Sequence, residues 1–494
     1  MTFRAVKPID GTYFGEEIPE HSYEEVSQRI AKASAVAHQL AQLSPQAHAK
    51  LLRTIANRIE ESRAQLLETA CAETALAEGR IGGEITRTCV QFNRFAELVE
   101  TGEHLKVVID RADADYSPAP RPDIRKLNQP LGVVAIFAAS NFPLAFSVAG
   151  GDAASALAAG NAVVAKAHPS HPNTCAIIER CVKTALRDCA ISEDAYSIVQ
   201  GVNPEITHWL ALDPLIQAVG FTGSETVGRI LVDLAASREF PIPVFAEMGS
   251  LNPVFITQSA VEERSEPLAK GLVDSALMGS GQFCTKPGLV FAPVGSTFYE
   301  TIKSYLATFA VAPLLSKTIA DRYSSAISQL ASLNGVEVLA GAPQENGFGV
   351  TPTLFITDWK TATTHPELLE EHFGPTTVII KADESTYIEI AQALSGQLTS
   401  TIHGTEKDQI QPLIQLLSQK SGRVIWNGFP TGVAVTAAMT HGGPWPSSST
   451  HTTSVGIEAI YRFLRPVSFQ GLPQSALPVP LQDANPWKVP QQIN

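Results

Sequence analysis

No run of lysine or arginine stands out anywhere in the 494 residues, and the net charge is −13. Without a basic tract the chain has nothing to neutralise a polyanion, which argues against nucleic acid and anionic membrane as partners. Met1 to Asp10 contains no apolar core of the kind a secretory signal needs. None of the six cysteines (Cys71, Cys89, Cys175, Cys181, Cys189 and Cys284) forms a CxxC pair, so reduced thiols and a cytoplasmic protein are expected. One charge-free stretch, Leu131 to Gly151, imitates a membrane span. Ser140, Asn141, Pro143 and Ser147 interrupt it and Asp152 follows, so a strand, a tight loop and a buried helix are expected instead. There is no internal repeat and no low-complexity tract.

What is there fits a globular chain of two or three domains, 44% hydrophobic and 17% charged. Val26, Ile30, Ala33, Ala37 and Leu40 repeat at helical spacing. Ser44-Pro45 starts a second helix striped by Leu51, Ile55 and Ile59, and a further helix carries Arg87, Gln91, Arg94 and Phe95. Val107 to Gln129 reads as short strands around a proline-containing loop, a hairpin arm or a plain surface loop. Residues 131–256 then alternate strand and helix. Strands are expected at Leu131 to Ala138, Ala162 to Ala165, Tyr196 to Gln200 and Ile216 to Phe221, with helices at Val148 to Ala159 and about Thr174 to Leu186. That rhythm predicts a parallel sheet covered on both faces, the usual platform for a nucleotide. A second α/β region extends to about residue 435, and the proline-rich tail follows.

The chemistry gathers around Ser280-Gly-Gln-Phe-Cys-Thr-Lys-Pro-Gly288. Cys284 stands among small residues just beyond an apolar stretch, Leu272 to Met278, and small neighbours leave room for a substrate carbon to approach a thiolate. Glu247, in an apolar strand end before Gly249, has two readings: a base made stronger near neutrality by burial, or a structural carboxylate bonded to backbone. Asn141, in Ser140-Asn-Phe-Pro143, supplies an amide donor. Cys284 alone has its own bland reading, a buried inert thiol. Phe221-Thr-Gly-Ser-Glu-Thr-Val-Gly228 follows a strand and opens a helix. Gly223 lets that turn tighten, and Ser224 caps the helix and aims its N–H groups at a phosphate, although the stretch is not the GxGxxG fingerprint. Lys166 closes a strand, well placed for a ribose or phosphate or merely solvated. His168 and His171 read as surface or capping histidines, since Pro169, Pro172 and the lack of matching cysteine or aspartate argue against metal.

Together these segments resemble the aldehyde dehydrogenase superfamily over nearly the whole chain. The resemblance rests on Ser140-Asn-Phe-Pro143, Phe221-Thr-Gly-Ser224, Glu247-Met-Gly249, Gly281-Gln-Phe-Cys284 and Glu371-His-Phe-Gly-Pro375, five motifs in order. The tail motifs His441-Gly-Gly-Pro-Trp-Pro446, Thr453-Ser-Val-Gly456 and Arg462-Phe-Leu-Arg-Pro466 are similar to the branch that holds 2-oxoglutarate semialdehyde (2,5-dioxopentanoate) dehydrogenases and an NADP-preferring fatty aldehyde dehydrogenase. Most of the superfamily has a different glycine-rich, aromatic motif where this chain has His441 to Ser449.

The resemblance implies an α/β fold with three parts. A Rossmann-type, parallel-sheet cofactor domain spans 1–106 and 131–249, and an α/β catalytic domain spans 250–435. A small β oligomerisation arm and C-terminal segment take 107–130 and 436–494, as a homodimer or homotetramer. It implies oxidation of a small-molecule aldehyde to the acid, with Cys284 as nucleophile, Asn141 and the Cys284 N–H as oxyanion donors, and Glu247 as the base that activates water. Ala139, Lys166, His168, Thr222, Gly223, Ser224, Gly228, Met248 and Gly249 are expected around the cofactor, with Glu371 at the nicotinamide-side ribose and Phe373 against the ring. NAD-preferring relatives often place a glutamate where this chain has Pro169. NAD or NADP is therefore expected, since nothing there repels a 2′-phosphate. For a dicarboxylic semialdehyde, Arg87 and Arg94 are the expected carboxylate ligands; a medium- or long-chain aliphatic aldehyde would need an apolar tunnel instead. A cofactor-free cysteine thioesterase or amidase would leave Lys166 and Phe221 to Gly228 without purpose. A CoA-acylating enzyme would not need Glu247, and a non-catalytic relative would be expected to have lost Cys284 or Glu247.

Overall fold

The computed structural model of the chain describes residues 1–294 and 297–494. Within these, strands Tyr196–Val199, Ala162–Lys166, Val133–Phe137, Ile216–Thr222 and Val244–Glu247 form, in that spatial order, a sheet that is parallel throughout. The strands are apolar on both sides because helices cover both faces. Val133, Ala135 and Phe137 pack with Val26, Ile30, Ile206 and Leu231, while Val134 and Ile136 pack with Leu52, Ile55, Leu157 and Val182.

The chain builds outward on one side of Val133–Phe137 and then crosses to the other side with Ile216–Thr222. Such a reversal leaves a crevice beyond the carboxyl ends of the two strands, where ligands of these sheets bind. The strands lie where the periodicity put them. The helix expected from Val148 begins only at Gly151. The segment before it is turned back on itself, with the Ala139 N–H donating to Phe146 O and the Gly151 N–H to Ala145 O, both at 2.9 Å.

The second sheet runs Glu337–Ala340, Thr353–Asp358, Thr376–Lys381, Leu289–Ala292, Val254–Ile256, Gln397–His403, Ser421–Trp426. Its first pairing is antiparallel and the others are parallel. The helix Gln258–Leu277 breaks at Arg264, three residues before Pro267, as a proline ring clashing with the preceding turn requires. Its second half buries Leu268, Leu272, Val273 and Leu277, and its end delivers the chain to Cys284.

A third sheet joins Leu464–Gln470, Ile124–Pro130, Val107–Asp110 and Gln491–Ile493, so the tail contributes two of the four strands. Arg462, just ahead of that tail, is 3% exposed; it pairs with buried Asp152 and donates to Phe245 O at 2.8 Å. The C-terminal segment is thereby held under the strand that carries Glu247. Among the described residues no helix is long and apolar enough to cross a membrane, and no three metal-capable side chains cluster.

Candidate active site

The crevice of the parallel sheet and the loops of the second sheet enclose a cavity of about 860 Å³, lined among others by Lys166, Ser224, Glu247, Cys284, Glu371 and His441. Cys284 is presented by a tight turn. Gly279, Ser280 and Gly281 take φ values of 57°, 58° and 66° in succession, the left-handed region that a side chain resists. A Cβ on Gly281 would run into the Gly374 carbonyl, so only glycine fits there. The Asn252 amide then fixes the turn, donating to Cys284 O at 2.8 Å and Lys286 O at 2.9 Å. Enclosure, and after it the charges of Glu247 and Glu371, push the Cys284 thiol up to about 12. At neutral pH this thiol needs a base to ionise.

Glu247 ends its strand 4% exposed, and neither carboxylate oxygen accepts a backbone N–H among the described residues; Ser454 and His441 are its polar neighbours. A carboxylate kept for backbone bonding would accept such N–H groups. Burial pushes Glu247 up to about 8, poised for proton transfer near neutrality. Between the two stands a residue for which the sequence suggested no role. His441 Nε2 lies 3.5 Å from Cys284 Sγ and 3.3 Å from Glu247 Oε2. Burial first, then the guanidinium groups of Arg423, Arg87 and Arg462, push His441 down to about 3, so the imidazole is neutral. Its loop adds to the free edge of the parallel sheet: Met248 N–H donates to Ser447 O at 2.9 Å and Ser449 N–H to Ala246 O at 3.0 Å. The signal in the sequence was the motif itself, a histidine where most of the superfamily has another pattern.

Asn141 comes from the loop after Val133–Phe137, and its amide donates one N–H to Gln282 O at 2.8 Å, two residues before Cys284. The three residues expected to carry the chemistry are therefore neighbours. The residues expected around a cofactor line the same cavity, with one exception. Lys166 Nζ reaches Ala167 O and Gly201 O, both at 2.7 Å, and burial pushes it down to about 8. Ala139, His168, Thr222 and Gly223 follow the strand ends, and Met248 and Gly249 follow Glu247. A Cβ on Gly249 would collide with the Glu371 carboxylate, which explains the glycine. Phe373 stands two residues further along. Ser224 is the N-cap of helix Glu225–Ala236, but its hydroxyl makes no capping bond, so it is uncommitted beside the cavity.

Gly228 does not line the cavity. It sits one turn into that helix and lets Met248 approach, since a Cβ there would meet Met248 Sδ at 2.5 Å. His171 is fully buried rather than on the surface, its Nε2 3.0 Å from Ala139 O, while His168 Nδ1 accepts from the Ser170 N–H at 3.2 Å. A switch-point crevice, an open helix end and a lysine at a strand end suit a dinucleotide. Lys286, two residues past the thiol, donates to His372 O, Gly374 O and Thr376 O at 2.8, 3.3 and 2.8 Å. It ties the Cys284 loop to the loop bearing Glu371 and Phe373.

The two arginines separate. Arg87 is half-buried, lies 5.4 Å from the Phe146 ring centroid and donates through Nη1 to Val433 O, while Nε and Nη2 are buried without a partner among the described residues. Arg94 is not brought to the site. It lies two turns further along the same helix, its side chain is 58% exposed and it pairs with Glu97 at 2.9 Å. Arg423, which the sequence did not single out, is near Cys284 and His441, holding Pro430 O at 2.6 Å and Gly432 O at 3.0 Å.

A cavity-lining thiol, a buried carboxylate, an amide donor and a dinucleotide-sized crevice suit the oxidation of an aldehyde. The aldehyde dehydrogenase family pattern matches residues 1–467, and the chain belongs to that family. It is an oxidoreductase acting on aldehydes with a nicotinamide dinucleotide as acceptor. Within the family the chain is 40% identical over 493 residues to alpha-ketoglutaric semialdehyde dehydrogenase 2 of Azospirillum brasilense, covering 98% of this chain and 93% of that protein. It is 38% identical to the alpha-ketoglutaric semialdehyde dehydrogenase of Acinetobacter baylyi, covering 100% and 95%. In fold it is similar to lactaldehyde dehydrogenase from Escherichia coli, with a TM-score of 0.82 at 22% identity over 95% of each chain.

Proposed function

We propose that this enzyme oxidises 2,5-dioxopentanoate, 2-oxoglutarate semialdehyde, to 2-oxoglutarate with NAD or NADP. The observation that carries the substrate is Arg87. A half-buried guanidinium with two unpartnered donors, near enough to Cys284 to interact with its charge though not among the residues lining the cavity, is costly unless an anion completes it. The semialdehyde's far carboxylate is such an anion, and an aliphatic aldehyde offers none. The two relatives named for this aldehyde support the same reading.

Cys284 attacks the aldehyde carbon as the thiolate, its proton leaving to a base in the solvent that fills the cavity. The neutral His441 Nε2–H, 3.5 Å from Sγ and 3.3 Å from Glu247 Oε2, donates to the charged sulfur. The Cys284 N–H and the remaining N–H of Asn141 hold the oxyanion; losing one such donor typically costs about 3 kcal/mol of barrier. The bound nicotinamide supplies the hydride acceptor, and oxidation leaves a thioester on Cys284. Glu247, deprotonated, then takes a proton from the water that releases the acid. Lys166 and Ser224 would hold the adenosine ribose and pyrophosphate, and Glu371 and Phe373 the nicotinamide half. Pro169 leaves room for a 2′-phosphate, so either dinucleotide is accepted. Six free cysteines, the nucleophile among them, suit the reducing cytoplasm. The four-stranded sheet supports a homodimer or dimer of dimers, and light scattering at micromolar concentration would show a monomer if that is wrong.

The test compares initial rates on 2,5-dioxopentanoate and a medium-chain aliphatic aldehyde, each with NAD and with NADP and with Cys284→Ala as blank. A much higher kcat/KM for the dioxo acid is expected. Preference for the aliphatic aldehyde would overturn the substrate and the role of Arg87 while leaving the chemistry standing.

A further inference from the structure

The helix Glu78–Thr101 carries a buried ion pair that never reaches the cavity. Glu84 is 3% exposed, and Arg80 Nε donates to its Oε1 at 2.9 Å. The other carboxylate oxygen, Oε2, accepts the N–H groups of Leu144 and Ala145, each at 3.2 Å, holding the turn just after Asn141. Arg80 Nη2 donates to Asn141 O at 3.2 Å. The same guanidinium lies 4.4 Å from the Phe142 ring centroid and 4.5 Å from that of Phe283, two rings packed edge-on 5.2 Å apart. Phe142 follows Asn141 in the chain and Phe283 precedes Cys284.

A buried pair of this kind is a weak source of stability, because desolvating two charges offsets much of their attraction. Nothing in the packing of this helix demands charges here, since its apolar face already buries Ile81, Ile85, Phe92 and Phe95. What the pair does is geometric. Asn141 and Cys284 lie on loops beside different sheets, and Arg80 touches the neighbour of each. Their two donors must converge on one oxygen, and such sites lose rate when a partner shifts by about 1 Å.

Resting on the oxyanion roles of Asn141 and Cys284 given above, we propose that Arg80 and Glu84 form a clamp that sets the oxyanion donors relative to each other. They are positioning residues. The planar guanidinium bonds one loop and stacks between rings of both, which a lysine ammonium does not reproduce.

The experiment uses the full chain as Arg80→Lys, Arg80→Met, Glu84→Gln, Asn141→Ala and the Arg80→Lys/Asn141→Ala double variant, with thermal unfolding as a check that each is folded. Three quantities are read: kcat, the KM for the dinucleotide, and the rate of Cys284 alkylation by iodoacetamide, followed by mass spectrometry of its peptide. Alkylation displaces iodide at a saturated carbon and develops no oxyanion, so it reports the thiol alone. Arg80→Lys is expected to lower kcat about 10- to 100-fold while leaving the dinucleotide KM and the alkylation rate within about twofold. Arg80→Met should lose at least as much and Glu84→Gln somewhat less. The double variant should be no slower than Asn141→Ala, because the clamp acts through that donor. Parental kcat in Arg80→Lys, alkylation falling in step with kcat, or additive losses in the double variant would each overturn the clamp alone. Parental kcat in Asn141→Ala would overturn the oxyanion reading and the clamp with it.

Discussion

The cofactor half and the substrate half of this cavity are built on different plans. On the side proposed for the cofactor, Ala139, Lys166, Thr222 to Ser224 and Met248 to Gly249 all sit where a strand of one parallel sheet runs out. Small residues and backbone shape that wall, and the sheet places them together. On the proposed substrate side, His441 and Cys284 line the cavity while Arg87 and Arg423 do not, and the four come from a helix near the amino end, a loop near the carboxyl end and two separate parts of the second sheet region. Charge and proton transfer dominate there, in a setting where burial shifts Glu247 to about 8 and Cys284 to about 12. A wall of many modest contacts tolerates the loss of any one. A set of three or four interdependent groups does not.

The largest contrast should come from Glu247→Gln. The folded variant is expected to release about one reduced nicotinamide per subunit in a burst and then turn over about 10²- to 10⁴-fold more slowly, seen by stopped-flow absorbance. The parent's pH profile carries the sign. A carboxyl raised to about 8 by burial is protonated below that pH and is a base above it, so kcat for thioester release should climb through about pH 8 and level off. His441→Gln, which keeps the ring's approximate volume, is expected to lower kcat/KM about 10²-fold and to slow Cys284 alkylation at neutral pH. Equal alkylation rates would remove the histidine as a hydrogen-bond partner of the thiolate.

Arg87→Leu should cost about 10- to 150-fold in kcat/KM for 2,5-dioxopentanoate, as a lost charge-assisted bond does, with little change for an aliphatic aldehyde. Equal losses on both substrates would make Arg87 a mere brace for Val433. Ser224→Ala, on the other wall, is expected to raise the dinucleotide KM only about two- to tenfold, the measure of one neutral hydrogen bond among many. A larger effect would break the contrast between the halves.

The strands of the parallel sheet were legible because burial on both faces leaves near-continuous apolar runs, as in Val133–Phe137 and Ala162–Lys166. The residues expected around the cofactor could be placed along one edge for the same reason, since most of them follow strand ends. Arg94 misled for a related reason: it shares a helix with Arg87 at a spacing that keeps the same side, but periodicity does not say how far along the helix the cavity extends. Gly228 was grouped with the cavity because its turn is, whereas its helix position turns it toward Met248.

By itself the chain's order of residues determined the class of protein, the alternation of strand and helix and the family it belongs to, because these rest on local patterns and on motifs that tolerate no substitute. Only the tertiary structure decided that His441 stands between Cys284 and Glu247, that Arg87 rather than Arg94 is drawn in beside the Phe146 ring and Val433, and that Arg80 joins the loops of Asn141 and Cys284. Those contacts join segments 60 to 350 residues apart, as in Arg80 to Asn141 with a separation of 61 and Arg87 to Val433 with 346. No pattern along the chain encodes such distances; the packing of the two sheets does.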